Sequence, residues 1–319
     1  MINLVNFEKQ IKQYSFENSP KVAVGVSGGP DSIALVYLTN KWILKKKGKL
    51  IALLIDHRLR DESYFECLKT QKFLKKIKIN SLILRVPKKN ISNKMMGQAR
   101  KNRFEKLINY CKKNKIFYLF LGHHSNDNLE TFLIRKIAGS NFEGLNSIQS
   151  SSIFKGIQII RPLLKFSKKD IIKFNKKFSL SYIVDPSNTD EKYTRSIVRK
   201  YLNENNSYKK EVNKELNLIK KNYKDFNKII FQILNLILID IKQNSVQIDQ
   251  KKFFSLNIEI KIKLTEIILK YVNKKNTYLR YSNVRKLIND LENTKKSSFR
   301  SQNAIITKNM PIISVVNSN

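Results

Sequence analysis

Short apolar runs alternate with longer amphipathic segments along the first half of the chain. The runs are rich in β-branched residues and predict strands at 21–26, 50–56, 81–86, 117–122 and 156–160. The segments between them predict helices at 32–47, 62–76, 98–113 and 128–137. Two runs, VAVGV and LIALLI, do not alternate with polar residues, so both faces of these strands are expected to be buried. The pattern predicts an α/β fold built on a parallel sheet.

The pattern changes to long helical stripes after residue 190. Apolar residues recur there at steps of four and three, as on one face of a long helix, at 212, 216, 219, 223, 226, 230, 233 and 237. A second helix is predicted over 254–272 and a short hairpin over 304–316, around Pro311. The polar stretch NENNSYKK, at 203–210, predicts a linker. We therefore predict an α/β domain over 1–205 and a smaller, mainly helical domain over 206–319.

Both predicted domains are basic. The 319-residue chain carries a formal net charge of +37, and residues 201–319 contribute +12 of it. This charge suits a polyanion, such as RNA, that is bound across the two domains. A compositional bias towards lysine would give the same excess without any binding role, so charge alone leaves both explanations open.

The cysteine and hydropathy patterns are typical of a cytoplasmic protein. The two cysteines, Cys67 and Cys111, are far apart and outside any metal-binding spacing, which fits a reducing compartment and excludes a disulfide framework. The first residues, MINLVNFEKQ, lack the basic start and apolar run of a signal peptide. The longest uncharged apolar stretch, 229–239, is far shorter than the roughly 20 residues of a membrane span. We expect a soluble protein with no membrane partner.

The segment SGGPDS, directly after the first predicted strand, carries the clearest chemical signal. Its glycines permit a tight turn and a close approach of a ligand to the backbone. Exposed N–H groups of such a turn, together with the start of the following helix, bind phosphate oxygens. The carboxylate of this segment suits Mg²⁺ that is held against the phosphates. The six residues are Ser27, Gly28, Gly29, Pro30, Asp31 and Ser32.

Polar residues follow two further strands at the edge where this loop must lie. Asp56 and His57 end the second predicted strand, and His123 and His124 follow the fourth. Ligands of open parallel sheets bind outside the carboxyl ends of the strands. All three histidines of the chain fall at this edge, so we expect a site there.

Asp127 and Glu130 stand three residues apart at the predicted start of a helix. They therefore share a helix face and can bind Mg²⁺ or a cationic substrate. Helix capping is the alternative explanation for Asp127, but it does not account for Glu130.

SGGPDS resembles the pyrophosphate loop (PP-loop) of the N-type ATP pyrophosphatases, which have a Rossmann-like parallel sheet. Further segments are similar to those of the tRNA(Ile)-lysidine synthetase family, in the same order along residues 20–200: IDHRLR, the Ala99–Phe104 stretch, HHSNDNLET, RPLL and DPSN. The helical remainder resembles the tRNA-binding domain of that family. Two departures are Asn126, where an acid is usual, and Ser196, where asparagine is common.

The resemblance implies an enzyme that uses ATP and Mg²⁺ to join free L-lysine to C2 of a cytidine in tRNA(Ile) with a CAU anticodon. ATP binding would fall to the Ser27–Ser32 loop with Asp56 and His57, and the metal to Asp31 and Asp127 as catalytic residues. Lysine binding would fall to Asp127, Glu130, Arg100 and Arg103.

Four further basic residues are candidates for tRNA or phosphate contacts. They are His123, His124, Arg195 and Arg199. Arg195 and Arg199 are four residues apart on one helix face, where a solvated surface pair is an equally good explanation.

Three other functions stay open. An RNA thiolase on the same loop would need a reactive cysteine pair, and a small-molecule amide synthetase would not need a basic helical domain. A non-catalytic RNA-binding module would not need the acids beside the loop. A homodimer also stays open as the oligomeric state.

Overall fold

The computed structural model of the chain describes residues 2–56, 58, 62–86, 96–183, 194–273, 279–294 and 297–318, with only the backbone over 96–101. The chain divides into two compact units, Met1–Ile219 and Lys220–Asn319. The N-terminal unit contains the parallel sheet, and the C-terminal unit contains a second, antiparallel sheet.

The N-terminal sheet is formed by β1 (Lys21–Val26), β2 (Lys49–Asp56), β3 (Ser81–Arg85), β4 (Tyr118–Phe120), β5 (Ser151–Phe154) and β6 (Ile157–Ile160). The strand order is β3-β2-β1-β4-β6-β5. All neighbours pair in parallel except β5 and β6, which form an antiparallel hairpin. The predicted parallel α/β fold is confirmed, while the edge strand β5 was not predicted.

The helices of this unit follow the predicted alternation. They are α1 (Leu4–Ile11), α2 (Pro30–Lys45), α3 (Ser63–Lys76), α4 (Met96–Lys113), α5 (Ser125–Ile137), α6 (Phe142–Leu145), α7 (Lys168–Lys177), α8 (Thr194–Glu204) and α9 (Asn206–Ile237), which crosses into the second unit. Alternate residues of β1 enter different cores: Val22 and Val24 pack with α1 and α2, and Ala23 packs with α4. Both faces of the sheet are therefore covered, as the continuous apolar runs predicted.

The polar stretch at 203–210 is helical rather than a linker. Only Asn205 separates α8 from α9. Val212 and Leu216 of α9 are buried in a cluster with Leu129 and Phe132 of α5. The polar side chains of this stretch belong to an exposed helix surface, which polar residues suit as well as they suit a loop.

The C-terminal unit contains more strand than predicted. Its elements after α9 are β7 (Leu238–Lys242), β8 (Ser245–Asp249), α10 (Gln250–Phe254), α11 (Ile258–Asn273), α12 (Tyr281–Asn293), β9 (Ser298–Ser301), β10 (Ala304–Asn309) and β11 (Ile312–Asn317). The predicted hairpin is β10 and β11, inside a five-stranded antiparallel sheet of order β7-β8-β11-β10-β9. Alternate residues of its central strands, such as Ile313 and Val315, pack on α11 and α12. Within the described ranges, every helix is too short or too polar to span a lipid bilayer.

Candidate active site

The Ser27–Ser32 loop joins β1 to α2 and contains one residue that must be glycine. Gly28 has φ +84°, a conformation that side chains rarely adopt. A Cβ at Gly28 would also lie 2.7 Å from Thr70 Oγ1 of α3. Pro30 occupies the first turn of α2, where the missing N–H of proline costs no helical hydrogen bond. The sequence thus fixes a tight strand-to-helix turn at this point.

Hydrogen bonds hold the loop in one shape. Ser32 Oγ accepts from the Ser27 N–H at 3.2 Å and donates to the Gly29 carbonyl at 2.9 Å. The Ile183 N–H donates to the Gly28 carbonyl at 2.9 Å. The first turn of a helix leaves its N–H groups without partners inside the helix. The start of α2 can therefore bind phosphate oxygens.

The carboxyl end of β4 comes close to the first turn of α2. A Cβ at Gly122 would lie 3.2 Å from the Asp31 carbonyl carbon and 3.3 Å from the Ser32 nitrogen. These distances are tighter than ordinary contacts with backbone atoms, so a side chain at 122 would push the two elements apart. Gly122 thus keeps the segment after β4 next to the loop.

Lys168, the first residue of α7, contacts the loop directly and was not predicted as a site residue. Its Nζ donates to both carboxylate oxygens of Asp31, at 2.7 and 2.6 Å. Its backbone N–H donates to Asn126 Oδ1 at 3.1 Å. Asn175, also on α7, donates from Nδ2 to the Pro30 carbonyl at 2.9 Å. The amide at 126, one of the two departures from the family pattern, therefore binds the start of α7.

His124 lies between two carboxylates. It caps α5: its Nδ1 accepts from the Asp127 N–H at 3.3 Å, and its own N–H donates to Asp127 Oδ2 at 3.0 Å. In a neutral imidazole the hydrogen is then on Nε2. That nitrogen lies 3.7 Å from Asp31 Oδ1 and 3.5 Å from Asp127 Oδ2. The structure thus brings Asp31, Asp127 and His124 together, and Asp127 also caps the helix.

Glu130 is buried one turn further along α5 and binds two arginines of α8. Arg195 Nε donates to Glu130 Oε2 at 2.7 Å, and Arg199 Nε donates to Oε1 at 2.8 Å. Arg195 Nη2 also donates to Asp127 Oδ1 at 2.8 Å. The hydrogen bond to Glu130 raises the pKa of Arg199 above its usual range. The two acids and two arginines predicted for separate roles therefore form one ion-pair cluster.

The charge state of Asp127 follows from these neighbours. Burial raises its pKa, but the charge of His124, the hydrogen bond from the His124 N–H and the charge of Arg195 outweigh burial and lower the pKa overall. The charge of His123, which is half-buried, acts in the same direction. Asp127 is therefore an anion at neutral pH.

Asp56 is buried at the end of β2 and shapes the turn that follows. Its Oδ1 accepts from the Arg58 N–H at 3.1 Å and from Ser63 Oγ at 3.0 Å. His57, predicted beside it for ATP binding, lies outside the described residues. The structure thus gives Asp56 local hydrogen bonds at the predicted edge of the sheet.

The remaining predicted residues are only partly described. Arg103 is half-buried on α4. The side chain of Arg100 and the DPSN segment at 185–188 lie outside the described residues.

The two carboxylates beside the loop fit Mg²⁺. Among the described residues, no three His, Cys, Asp or Glu side chains form a metal-binding group. Mg²⁺, however, keeps several waters and usually takes one or two carboxylates together with substrate phosphates. Asp31 already binds a cation, the ammonium of Lys168. The carboxylates of Asp31 and Asp127 both approach the same atom, His124 Nε2, at 3.7 and 3.5 Å. Two carboxylates beside a loop that can bind phosphate are a donor set that suits such an ion.

Sequence comparison identifies the N-terminal region. Residues 3–206 match the PP-loop domain. Several curated proteins named tRNA(Ile)-lysidine synthase are similar to the chain. The protein of Orientia tsutsugamushi is 39% identical over 62% of this chain and 45% of its own length. That of Wolbachia pipientis wMel is 42% identical over 61% and 46%, and that of Rickettsia typhi 30% identical over 87% and 65%. The chain thus spans about half to two thirds of the length of these relatives.

A solved structure shares the fold. The U34-tRNA thiolase NcsA of Methanococcus maripaludis superposes with a TM-score of 0.58 over 70% of this chain and 77% of its own, at 21% sequence identity. At this identity the likeness concerns the fold of the polypeptide.

Proposed function

Because the chain belongs to the PP-loop domain family, we propose that it forms lysidine in tRNA. The reaction joins free L-lysine to C2 of the wobble cytidine of tRNA(Ile) with a CAU anticodon and converts ATP to AMP and pyrophosphate. The observation that carries this proposal is the meeting of Asp31 and Asp127 at His124, next to the phosphate-binding loop. The names of the relatives support the choice of tRNA and lysine. The cytoplasm is the compartment we propose.

In the first step, the C2 oxygen of cytosine attacks the α-phosphorus of ATP. A bond from this oxygen to phosphorus forms, and the bond from the α-phosphorus to the bridging oxygen breaks to release pyrophosphate. The N–H groups at the start of α2 stabilise negative charge on the phosphate oxygens. Mg²⁺ held by Asp31 and Asp127 would neutralise part of this charge. Asp56 and His57 complete the ATP site in this proposal.

In the second step, the ε-amine of lysine attacks C2 and AMP leaves with the C2 oxygen. The ammonium of free lysine must lose a proton before it can attack. Asp127 and Glu130 provide the anionic contacts for lysine, and Arg100 or Arg103 the cationic contact for its carboxylate. Since Glu130 already binds two arginines, lysine would have to rearrange these ion pairs.

Basic side chains of each unit are proposed to contact the phosphates of the tRNA. Arg195 and Arg199 keep 32% and 35% of their side chains exposed although they bind Glu130. They can therefore face a phosphate as well. Phosphate contacts are also proposed for His123, which is half-buried at the loop edge, and for His124, whose side chain is only 6% exposed and would have to turn away from Asp31 and Asp127. The C-terminal unit adds exposed lysines, among them Lys221, Lys224 and Lys228 on one face of α9. Phosphate contacts need charge but no fixed motif.

The cysteines argue against the thiolase alternative. Both are buried, and burial raises the pKa of Cys67 to about 11 and that of Cys111 to about 12. A thiol with such a pKa has little thiolate at neutral pH and is a poor nucleophile. Cys67 lies on α3 and Cys111 on α4, in separate cores. The pair that a thiolase needs is therefore not formed by these two residues.

Incubation with ATP, labelled lysine and tRNA(Ile) bearing CAU tests the proposed reaction. We expect label in the tRNA together with equal amounts of AMP and pyrophosphate. The same tRNA with a GAU anticodon is the matched control and should take up no label. Adenylation of the tRNA without lysine transfer, or no reaction at all, would contradict the proposal.

The salt dependence of tRNA binding tests the role of the C-terminal unit. Replacing Lys221, Lys224 and Lys228 with Gln should weaken tRNA binding and reduce the slope of log K against log salt, by roughly 0.7–0.9 for each phosphate that is no longer neutralised. The control replaces Lys75, Lys76 and Lys78, which are exposed at the C-terminal end of α3 and in the turn that follows it. Equal salt slopes for tRNA binding in the two triple variants would indicate that the C-terminal unit has a structural role and does not bind tRNA. ATP binding should be unchanged in both.

A further inference from the structure

Lys168 neutralises the carboxylate of the phosphate-binding loop. Its ammonium bridges both oxygens of Asp31 at 2.7 and 2.6 Å. The side chains of Asp31 and Lys168 remain 25% and 34% exposed. The pair is thus open to solvent and to an incoming ligand.

The backbone of Lys168 is held firmly, although its side chain is long. Ser167 caps α7 in a reciprocal pair with Asp170. The Lys168 N–H donates to Asn126, and Asn175 binds the Pro30 carbonyl from the other end of the helix. Only the four-carbon stem of Lys168 is therefore left to move.

While the ammonium binds both oxygens of Asp31, it offsets the negative charge of the carboxylate and uses a lone pair of each oxygen, so Asp31 attracts a metal ion less strongly. A divalent cation must therefore compete with the ammonium of Lys168 for Asp31. The free energy lost when this ion pair breaks is recovered if the ammonium finds another anionic partner. ATP brings such partners, since its phosphates are multiply charged and lysine is a common phosphate ligand. The stem of Lys168 allows the ammonium to turn from Asp31 to a phosphate without a movement of α7.

We propose that Lys168 is an exchangeable counterion of the nucleotide site. Its ammonium pairs with Asp31 in the absence of nucleotide and passes to a phosphate group of ATP when the metal ion takes Asp31. Free divalent cations are kept off the loop, and metal and nucleotide bind together. The inference rests on the proposed role of Asp31 as a metal ligand.

Titration with Mn²⁺ in the absence of ATP tests the first half of the exchange. Lys168→Met should bind Mn²⁺ roughly tenfold or more tightly than the wild type, as followed by electron paramagnetic resonance, because a charge-assisted hydrogen bond no longer competes. The gain should vanish in Asp31→Asn/Lys168→Met, whose affinity should equal that of Asp31→Asn alone. Lys169→Met is the matched control, since Lys169 is the exposed neighbour on α7.

Calorimetry with MgATP tests the second half. Lys168→Met should bind MgATP roughly tenfold more weakly than the wild type, and Lys168→Arg should keep most of the affinity. Unchanged Mn²⁺ affinity in folded Lys168→Met would overturn the inference, and so would tighter Mn²⁺ binding with unchanged MgATP affinity. If Lys168→Met does not fold, Lys168→Gln, which also removes the charge, provides the same comparison, and Lys168→Arg is the variant that keeps the charge. These titrations need neither lysine nor tRNA, so their failure is distinguishable from a failure of lysidine formation.

Discussion

Arg199 and Glu130 form an ion pair between α8 and α5, with Nε and Oε1 2.8 Å apart and the carboxylate only 3% exposed. Removal of one partner of such a pair leaves the other charged, poorly solvated and unpaired. We predict that Glu130→Ala lowers the free energy of unfolding by about 3 kcal/mol, the low end of the usual range because Arg199 is partly exposed. Urea unfolding measures this decrease.

Two further variants distinguish the loss of the Glu130–Arg199 ion pair from the effect on stability that any substitution in these helices has. Glu204→Ala, at the exposed end of α8, should change the free energy of unfolding by about 0.5 kcal/mol or less. Glu130→Ala combined with Arg199→Met should be more stable than the sum of the single changes predicts, since the two residues are coupled. Additive decreases would show that they do not stabilise the fold as a pair.

The proposed lysine site predicts a selective kinetic effect at Glu130. Glu130→Gln keeps the size of the side chain but removes the negative charge that attracts an ammonium. The KM for lysine should rise roughly tenfold, the effect of one charge-assisted contact, while the KM for ATP stays within about twofold. An unchanged KM for lysine would leave Glu130 with the single task of holding Arg195 and Arg199.

Asp31 and Asp127 are predicted to be essential for activation of the base. Asn at either position should reduce the formation of AMP and pyrophosphate on the order of 10²–10³-fold, because charge on the phosphates is no longer offset. Far-UV circular dichroism should be unchanged. Asp225→Asn, at an exposed position of α9, is the control. Near-normal turnover in either site variant would rule out its assignment as a metal ligand.

The loop glycines should differ in their tolerance of a methyl group. Gly28→Ala imposes a side chain on φ +84° and a contact of 2.7 Å with Thr70 Oγ1. It should cost about 1–3 kcal/mol of stability. Gly29→Ala meets nothing nearer than 3.5 Å and should cost much less. Thermal unfolding of the two variants measures this difference. The double variant Gly28→Ala/Thr70→Ala should recover only the part of the lost stability that is due to the contact with Thr70 Oγ1.

Lys220 predicts a pH dependence of stability. Burial lowers its pKa to about 8 from the ordinary value of 10.5. The folded state therefore disfavours its charged form, and this cost is present in full below pH 8 and disappears as the pH rises towards 10.5. Lys220→Met should be more stable than the wild type at pH 7, on the order of 2 kcal/mol. The difference should shrink between pH 8 and 10.5, and a difference independent of pH would disprove the assignment.

The sequence was informative where the signal was local. A buried strand, two glycines and a helix start are consecutive at 21–34, so the loop and its place at the sheet edge were predictable. The carboxyl ends of parallel strands meet by topology, which allowed Asp31 and His124 to be placed together.

The contacts of long sequence separation could not be predicted. Lys168 lies 137 residues after Asp31, and a lysine at a helix start looks like any surface lysine. The capping pair of Ser167 and Asp170 predicts only that a helix begins there. Similarly, nothing local assigns Glu130 to the arginines of α8, since buried ion pairs depend on tertiary packing. The short strands of the C-terminal sheet, four to six residues long, gave too little alternation to stand out beside the helices.

Because both thiols of the chain are buried, we expect it to react very slowly with thiol-specific dyes. Maleimides react with thiolates, and Cys67 and Cys111 are 8% and 0% exposed and remain protonated at neutral pH. A cysteine introduced in place of exposed Lys169 would therefore be the one reactive thiol, with no need to replace the native ones. A fluorophore there, one residue from Lys168, could follow the arrival of nucleotide in real time.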